Sequence, residues 1–234
     1  MIKEKTYFVL IIFVIVISSI ASNKININRK IEKINVIVNI SKSKFLNDSI
    51  VNKLLTQKIK IDDIKSNLEL DLNELEEYLE LQPEIASAEV FSYPEGEINA
   101  IIFERTPILR IHNQGFYLDN FSSKIPFSDN YIPKVPVYTG YFEEKKIDQI
   151  VDITKIMIQD KFFKNEFVEI WNEKLGYVLR FRNYDFEIFW GDLSKPITKS
   201  KKLKAFCAYY ANASFNKKIK RIDLTVLDQV VVTH

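Results

Sequence analysis

Few residues in this chain are equipped for chemistry. Only two histidines occur, His112 and His234, beside a single cysteine, Cys207. A catalytic triad needs an imidazole oriented by a third group, and a zinc site needs several nitrogen or sulfur ligands, so both lack material. Cys207 has no partner for an internal disulfide and is expected to pack as a small apolar residue. With five glycines the chain holds no P-loop, no G-x-G-x-x-G and no G-x-S-x-G. The acidic neighbours Glu76-Glu77 and Glu143-Glu144 read as solvated surface. Glu104-Arg105 could act as acid and base, but at a strand end before Pro107 its expected role is to fix a domain junction through a salt bridge or backbone contacts. No catalytic, cofactor or metal site is therefore expected.

Binding chemistry has more to work with. From Ile219 to Val232, Ile222, Leu224 and Val226 alternate with Arg221, Asp223 and Thr225, so one face packs inward while the other stays polar. The place of this segment near the end of the sequence predicts an edge strand, and the sequence stops at His234 with no tail expected to cover it. An exposed edge is a docking rail for a partner strand. About four backbone bonds at a net ~0.5–1.5 kcal/mol each give only a few kcal/mol. Aromatic anchors are then needed, and Trp190, Tyr209, Tyr210 and Phe215 are the candidates.

Positioning that edge requires two bodies. Between Lys33 and Arg105 the order reads β-α-α-β-β: a strand over Ile34–Ile40, a helix after Asn47-Asp48 carrying Ile50, Val51, Leu54 and Leu55, and a second helix. Leu68, Leu72, Leu75 and Leu79 mark the second helix, Asp71 caps it, Glu74 answers the cap and Pro83 stops it. Strands Ile85–Phe91 and Ile98–Phe103 follow, joined by a Pro-x-Gly turn across Tyr93–Glu97. Beyond Pro107 the pattern becomes strand-rich. Short strands are expected at Leu109–Ile111, Gly115–Leu118 and Val135–Tyr138, with a helix over Lys145–Gln159. An antiparallel meander over Phe167–Asn172, Tyr177–Arg182 and Asp185–Trp190 comes next, and then a helix marked by Leu203, Phe206, Cys207 and Tyr210. Lys199, Lys201, Lys202 and Lys204 on that helix read as a solvated face.

The amino end is a targeting segment. Lys3 and Lys5 precede an uncharged apolar run from Tyr7 to Ala21, roughly 22 Å as a helix against ~30 Å of hydrocarbon. It serves either as an uncleaved anchor or as a signal peptide processed near Ser19-Ile20-Ala21. At 234 residues, 47% hydrophobic and net charge +2, the chain suits one or two cored domains, and nothing in it points to nucleic acid.

The ordered set Phe45-Leu46, Leu79, Pro83-x-Ile85-x-x-Ala88-Glu89-Val90 and Glu104-Arg105-x-Pro107-Ile108 resembles the POTRA domain of the bacterial division family FtsQ/DivIB, most like its Bacteroidota versions. Tyr117-Leu118-Asp119, Pro126 and Val135-Pro136-Val137-Tyr138-Thr139-Gly140 extend the likeness. The resemblance implies an α+β protein with a cytoplasmic N-terminus (1–5), a transmembrane anchor (6–22), a linker (23–32), a POTRA domain (33–107) and a mixed, mainly antiparallel β-rich domain with two helices (108–234). It further implies a non-enzymatic divisome scaffold, single-pass in the inner membrane and periplasmic at the septum. FtsB/DivIC-like and FtsL-like proteins would bind at Lys220, Arg221, Ile222, Asp223, Leu224, Gln229, Val230 and Val231, with FtsK a further partner. The alternatives are a POTRA-bearing component of outer-membrane assembly or secretion, which should show tandem modules or a barrel, and a cell-wall enzyme, which should show a catalytic cleft.

Overall fold

A computed structural model describes residues 2–27, 33–38, 44–58, 71–93, 97–212 and 218–234. Two compact units are present, Met1–Glu104 and Arg105–His234. The division falls just ahead of the expected Pro107 boundary.

The N-terminal unit opens with helix α1 (Ile2–Ile27). Among the described residues no helix is long and apolar enough to cross a membrane. The uncharged apolar run of α1 from Tyr7 to Ala21 covers about 22 Å at ~1.5 Å per residue, short of ~30 Å of hydrocarbon. From Leu10 to Ala21 its side chains are exposed, Leu10, Phe13 and Ile20 by 60–64%. Strand β1 (Lys33–Val38) is followed by helices α2 (Asp48–Lys58) and α3 (Leu72–Glu80) and by strands β2 (Ile85–Ser92) and β3 (Glu97–Glu104). The sheet order is β1-β3-β2, with β1 parallel and β2 antiparallel to β3. Asn47 accepts the Ile50 amide to start α2 (2.9 Å). Asp71 accepts from Asn73 (2.9 Å) and Glu74 (3.3 Å) to start α3. The Glu74 carboxylate takes the Lys58 ammonium at 2.6 Å. Val51 and Leu55 from α2 and Leu75 and Leu79 from α3 close over Ile85, Ile98, Ala100 and Ile102 in one apolar core. Leu68, Ile40 and the Pro94–Gly96 turn lie outside the described residues.

The C-terminal unit is a mixed sheet of nine strands. Its elements are β4 (Pro107–Ile111), β5 (Phe116–Asp119), β6 (Lys124–Pro126), β7 (Val137–Tyr138), α4 (Ile147–Gln159), β8 (Phe167–Glu173), β9 (Gly176–Phe181), β10 (Glu187–Gly191), α5 (Pro196–Tyr210), β11 (Arg221–Asp223) and β12 (Val231–Thr233). The expected meander is β8-β9-β10, antiparallel throughout. The short β6 is not among the expected strands. Strand β7 is shorter than Val135–Tyr138 because Pro136 lacks an amide and offers only its carbonyl, to Arg110 (2.9 Å). The parallel pairs β7/β8 and β10/β11 need crossovers, and α4 and α5 supply them. The two helices pack on each other and bury Ile150, Ile153, Met157, Leu203, Phe206 and Cys207 against the sheet.

Candidate partner-docking site

The sheet runs β12-β11-β10-β9-β8-β7-β4-β5-β6. This corrects the expectation for Lys220–Leu224: β11 is not an edge. It is paired in parallel with β10 and antiparallel with β12, with Ile222 opposite both Ile188 and Val232. The crossover through α5 returns the chain parallel to β10, and the final hairpin then covers the side that β11 would have exposed. The edge position passes to β12.

The side chains of β11 are committed inward or sideways. Ile222 and Leu224 are fully buried, and the Leu224 amide donates to Phe189 O at 3.0 Å. Arg221 spreads its guanidinium over two carboxylates. It donates to both Glu173 oxygens (3.0 and 2.9 Å) and twice to Glu187 Oε2 (3.1 and 2.6 Å), a fork only arginine can make. This holds the Glu173 carboxyl below the usual range, with the Trp171 indole assisting, and pushes the Arg221 pKa up. Lys220 donates to His234 O (3.2 Å). Asp223 accepts from the Thr225 amide and hydroxyl (both 2.7 Å), which turns the chain.

Beyond that turn the hairpin loop is held by Lys202 of α5. Its ammonium donates to the carbonyls of Leu224 (2.5 Å), Val226 (2.7 Å) and Gln229 (3.3 Å). The lysines of α5 therefore depart from the expected solvated face. Lys199 is buried and pairs with Asp192 (2.5 Å), and Lys204 reaches Asp160 (2.8 Å). Lys201 is exposed on the helix surface. Both aspartates are held below their ordinary range, chiefly by these lysines. Helical spacing gave no sign of this, since each target lies on a loop brought in by the fold.

The remaining strand presents its surface plainly. Val230 packs on the core, Val231 is 43% exposed, and Thr233 is exposed. Beside the hairpin lies a cleft of about 330 Å³ rimmed by Leu175 and Leu227 and floored by Gly191 and Lys199. Of the candidate anchors, Trp190 is corrected to a core residue with no exposed surface. Tyr210 is half-buried against Phe186 and Phe206, and Tyr209 is exposed. Phe215 lies outside the described residues.

The three junction residues serve their own units. Glu104 accepts the backbone amides of Lys44 (2.7 Å), Phe45 (3.2 Å) and Leu46 (2.6 Å). Arg105 donates to Asp119 (3.0 Å) and Ser123 (2.9 Å), and Pro107 opens β4. Among the described residues no group of three or more His, Cys, Asp or Glu side chains could hold a metal ion. Cys207 is buried, and burial pushes its thiol up to about 11.

These ion pairs set the acid response of the C-terminal unit. Glu173, Asp160 and Asp192 are depressed in the folded state, so their stabilisation is present above the unfolded carboxylate pKa of about 4 and is lost as pH falls through the lower folded values. The urea midpoint is expected to fall between about pH 5 and pH 3. In Arg221→Met this fall should be shallower, because Glu173 then titrates normally; an unchanged slope would remove the Arg221 fork from the account.

No curated protein matches the chain. A family model described as FtsQ/DivIB, C-terminal related, matches residues 106–233, which is the C-terminal unit almost end to end and more than half of the chain. The chain thus belongs to the FtsQ/DivIB C-terminal related family, a relative of FtsQ and DivIB rather than FtsQ itself.

Proposed function

We propose that this protein is a non-enzymatic scaffold of the bacterial division machinery that receives a partner strand along β12. One observation carries the reading. The two ends of the nine-stranded sheet are built differently. Strand β6 carries Lys124 and Pro126, the charge and the missing amide by which natural edges discourage pairing. Strand β12 reads Val231-Val232-Thr233, with neither. The hairpin behind it is fixed by Lys202 and its base by Arg221, so the edge is presented pre-organised.

Membership of a family related to FtsQ supports a division-related role. On this reading the partners are FtsB/DivIC-like and FtsL-like proteins, with FtsK a further one, and the scaffold couples early and late division proteins at the septum. The β-α-α-β-β order and the β1-β3-β2 sheet support reading the N-terminal unit as a POTRA domain. The exposed apolar side chains of α1, continued in sequence by Tyr7, Phe8 and Val9 behind Lys3 and Lys5, support an inner-membrane anchor with the chain beyond α1 in the periplasm.

The test is a proline scan of Val231, Val232 and Thr233 in the full chain, read as affinity for the periplasmic segment of the host's FtsB-like protein. Proline at a residue whose amide faces away from β11 should weaken binding at least tenfold while circular dichroism stays parental. Parental affinity in all three folded variants would rule out strand addition at this edge.

A further inference from the structure

The N-terminal unit has a sheet edge of its own, and it is not open. In the order β1-β3-β2 the outer side of β2 faces away from β3. Along a strand, alternate amides point to alternate sides, and here those of Ala88 and Val90 turn outward. Both are taken. The Ala88 amide donates to Glu80 Oε1 at 3.0 Å, and the Val90 amide donates to Glu76 Oε1 at 2.7 Å. Glu76 had read as part of a solvated acidic pair, but its carboxylate is committed to the sheet.

The match is one of periods. Glu76 and Glu80 stand one helical turn apart on α3, a rise of about 6 Å, and the outward amides of a strand repeat every two residues, about 6.8 Å. Helix α3 runs opposite to β2, so the earlier glutamate meets the later amide. Leu75 and Leu79, each one residue ahead of a glutamate, are buried in the core and pin the helix in this register. The two carboxylates stand where the carbonyls of a neighbouring strand would stand.

We infer that Glu76 and Glu80 form a two-rung carboxylate ladder that seals the β2 edge, and that the surface it seals is a strand-docking edge for a second copy of this chain. A sheet edge is self-complementary under two-fold symmetry. A pairing centred on Val90 exchanges the Val90 amides and carbonyls of the two copies and sets Glu89 opposite Phe91, so the one acidic side chain on that stretch of β2 avoids its own image. Unlike β2, β12 carries no charge or proline of its own and no side-chain ladder on its outer amides among the described residues.

The experiment compares the full parent chain with E76A/E80A and E76Q/E80Q in the same detergent, by light-scattering mass and by amide exchange of Ala88 and Val90. In E76A/E80A the mass should shift upward toward a doubled chain, and on dilution to the single-chain mass both amides should exchange at least tenfold faster than in the parent, because the pairing that replaces the ladder is then lost. E76Q/E80Q keeps one carbonyl acceptor per rung and should stay near the parent in both readouts. Parental exchange in a folded E76A/E80A chain at the single-chain mass would show that the ladder is not the seal. Faster exchange with parental mass would show that the opened edge does not dock a second copy. Should the double variant unfold, E76A and E80A singly, each retaining one rung, carry the same two readouts, with exchange expected to rise at the amide that lost its rung and the mass to shift part of the way. Unchanged values in both would overturn the inference.

Discussion

Glu104→Ala is expected to destabilise the N-terminal unit by roughly 3–5 kcal/mol, the largest effect of any single side chain there. The reason is the number of donors that one carboxylate serves. The amides of Lys44, Phe45 and Leu46 converge on it at 2.6–3.2 Å, and Glu104 itself is only 9% exposed. Hydrogen bonds to a charged acceptor are worth about twice neutral ones, and the methyl of alanine replaces none of them. The segment also carries Phe45, which is 3% exposed, so the loop cannot swing into water without surrendering apolar burial. Glu104→Gln keeps a carbonyl oxygen but sets an amide donor against the same N–H groups, and should fall between parent and alanine. Hydrogen exchange of peptides from 44–58 and 85–104 in the full chain is the measurement. A rise of roughly a hundredfold to a few thousandfold is expected for Ala, since each 1.4 kcal/mol is tenfold. A rise below tenfold would mean that water replaces the carboxylate at little cost and that Glu104 is a surface residue in energetic terms.

What the sequence disclosed and what it withheld divide along the range of the interaction. Asp71, Leu75, Leu79 and Pro83 specify α3 through contacts within a few residues, and the helix runs where they predict. The meander from Phe167 to Gly191 was legible because hairpin partners are neighbours in sequence. The rank of β11 in the sheet was not, since alternation looks the same in a strand with one neighbour or two. Trp190 illustrates the same limit: an aromatic in a strand reads equally as anchor or core until the second layer is placed, and here α4 and α5 place it inside. The roles of Lys202, Arg221 and Glu76 were hidden for a related reason. Each is a long polar side chain whose partners lie well away from it in sequence, in a position that helical or strand periodicity assigns to solvent.

Gly176→Ala should cost the C-terminal unit roughly 2–5 kcal/mol, while Gly191→Ala, only one strand away, should cost roughly 1–3 kcal/mol. Both glycines hold positive φ, +149° and +73°, and each would pay a conformational cost for a side chain. They differ in what the new methyl meets. A Cβ on Gly176 would lie 2.5 Å from the backbone carbonyl of Gly191 and 2.6 Å from its Cα. Those atoms belong to the paired strands β9 and β10, so relief requires separating the ladder itself. A Cβ on Gly191 would lie 2.3 Å from Thr225 Cγ2, the end of a side chain that can rotate. That rotation gives up the Thr225 hydroxyl bond to Asp223 (2.7 Å), worth about 1 kcal/mol, and loosens the turn leading into the final hairpin. The two variants therefore separate stability from presentation. Urea denaturation should rank Gly176→Ala as the less stable, whereas Gly191→Ala should lose more affinity for the partner strand than its modest destabilisation accounts for. If Gly191→Ala bound the partner as the parent does, the turn at Thr225 would have no part in presenting β12, and the docking reading would rest on the bare edge alone.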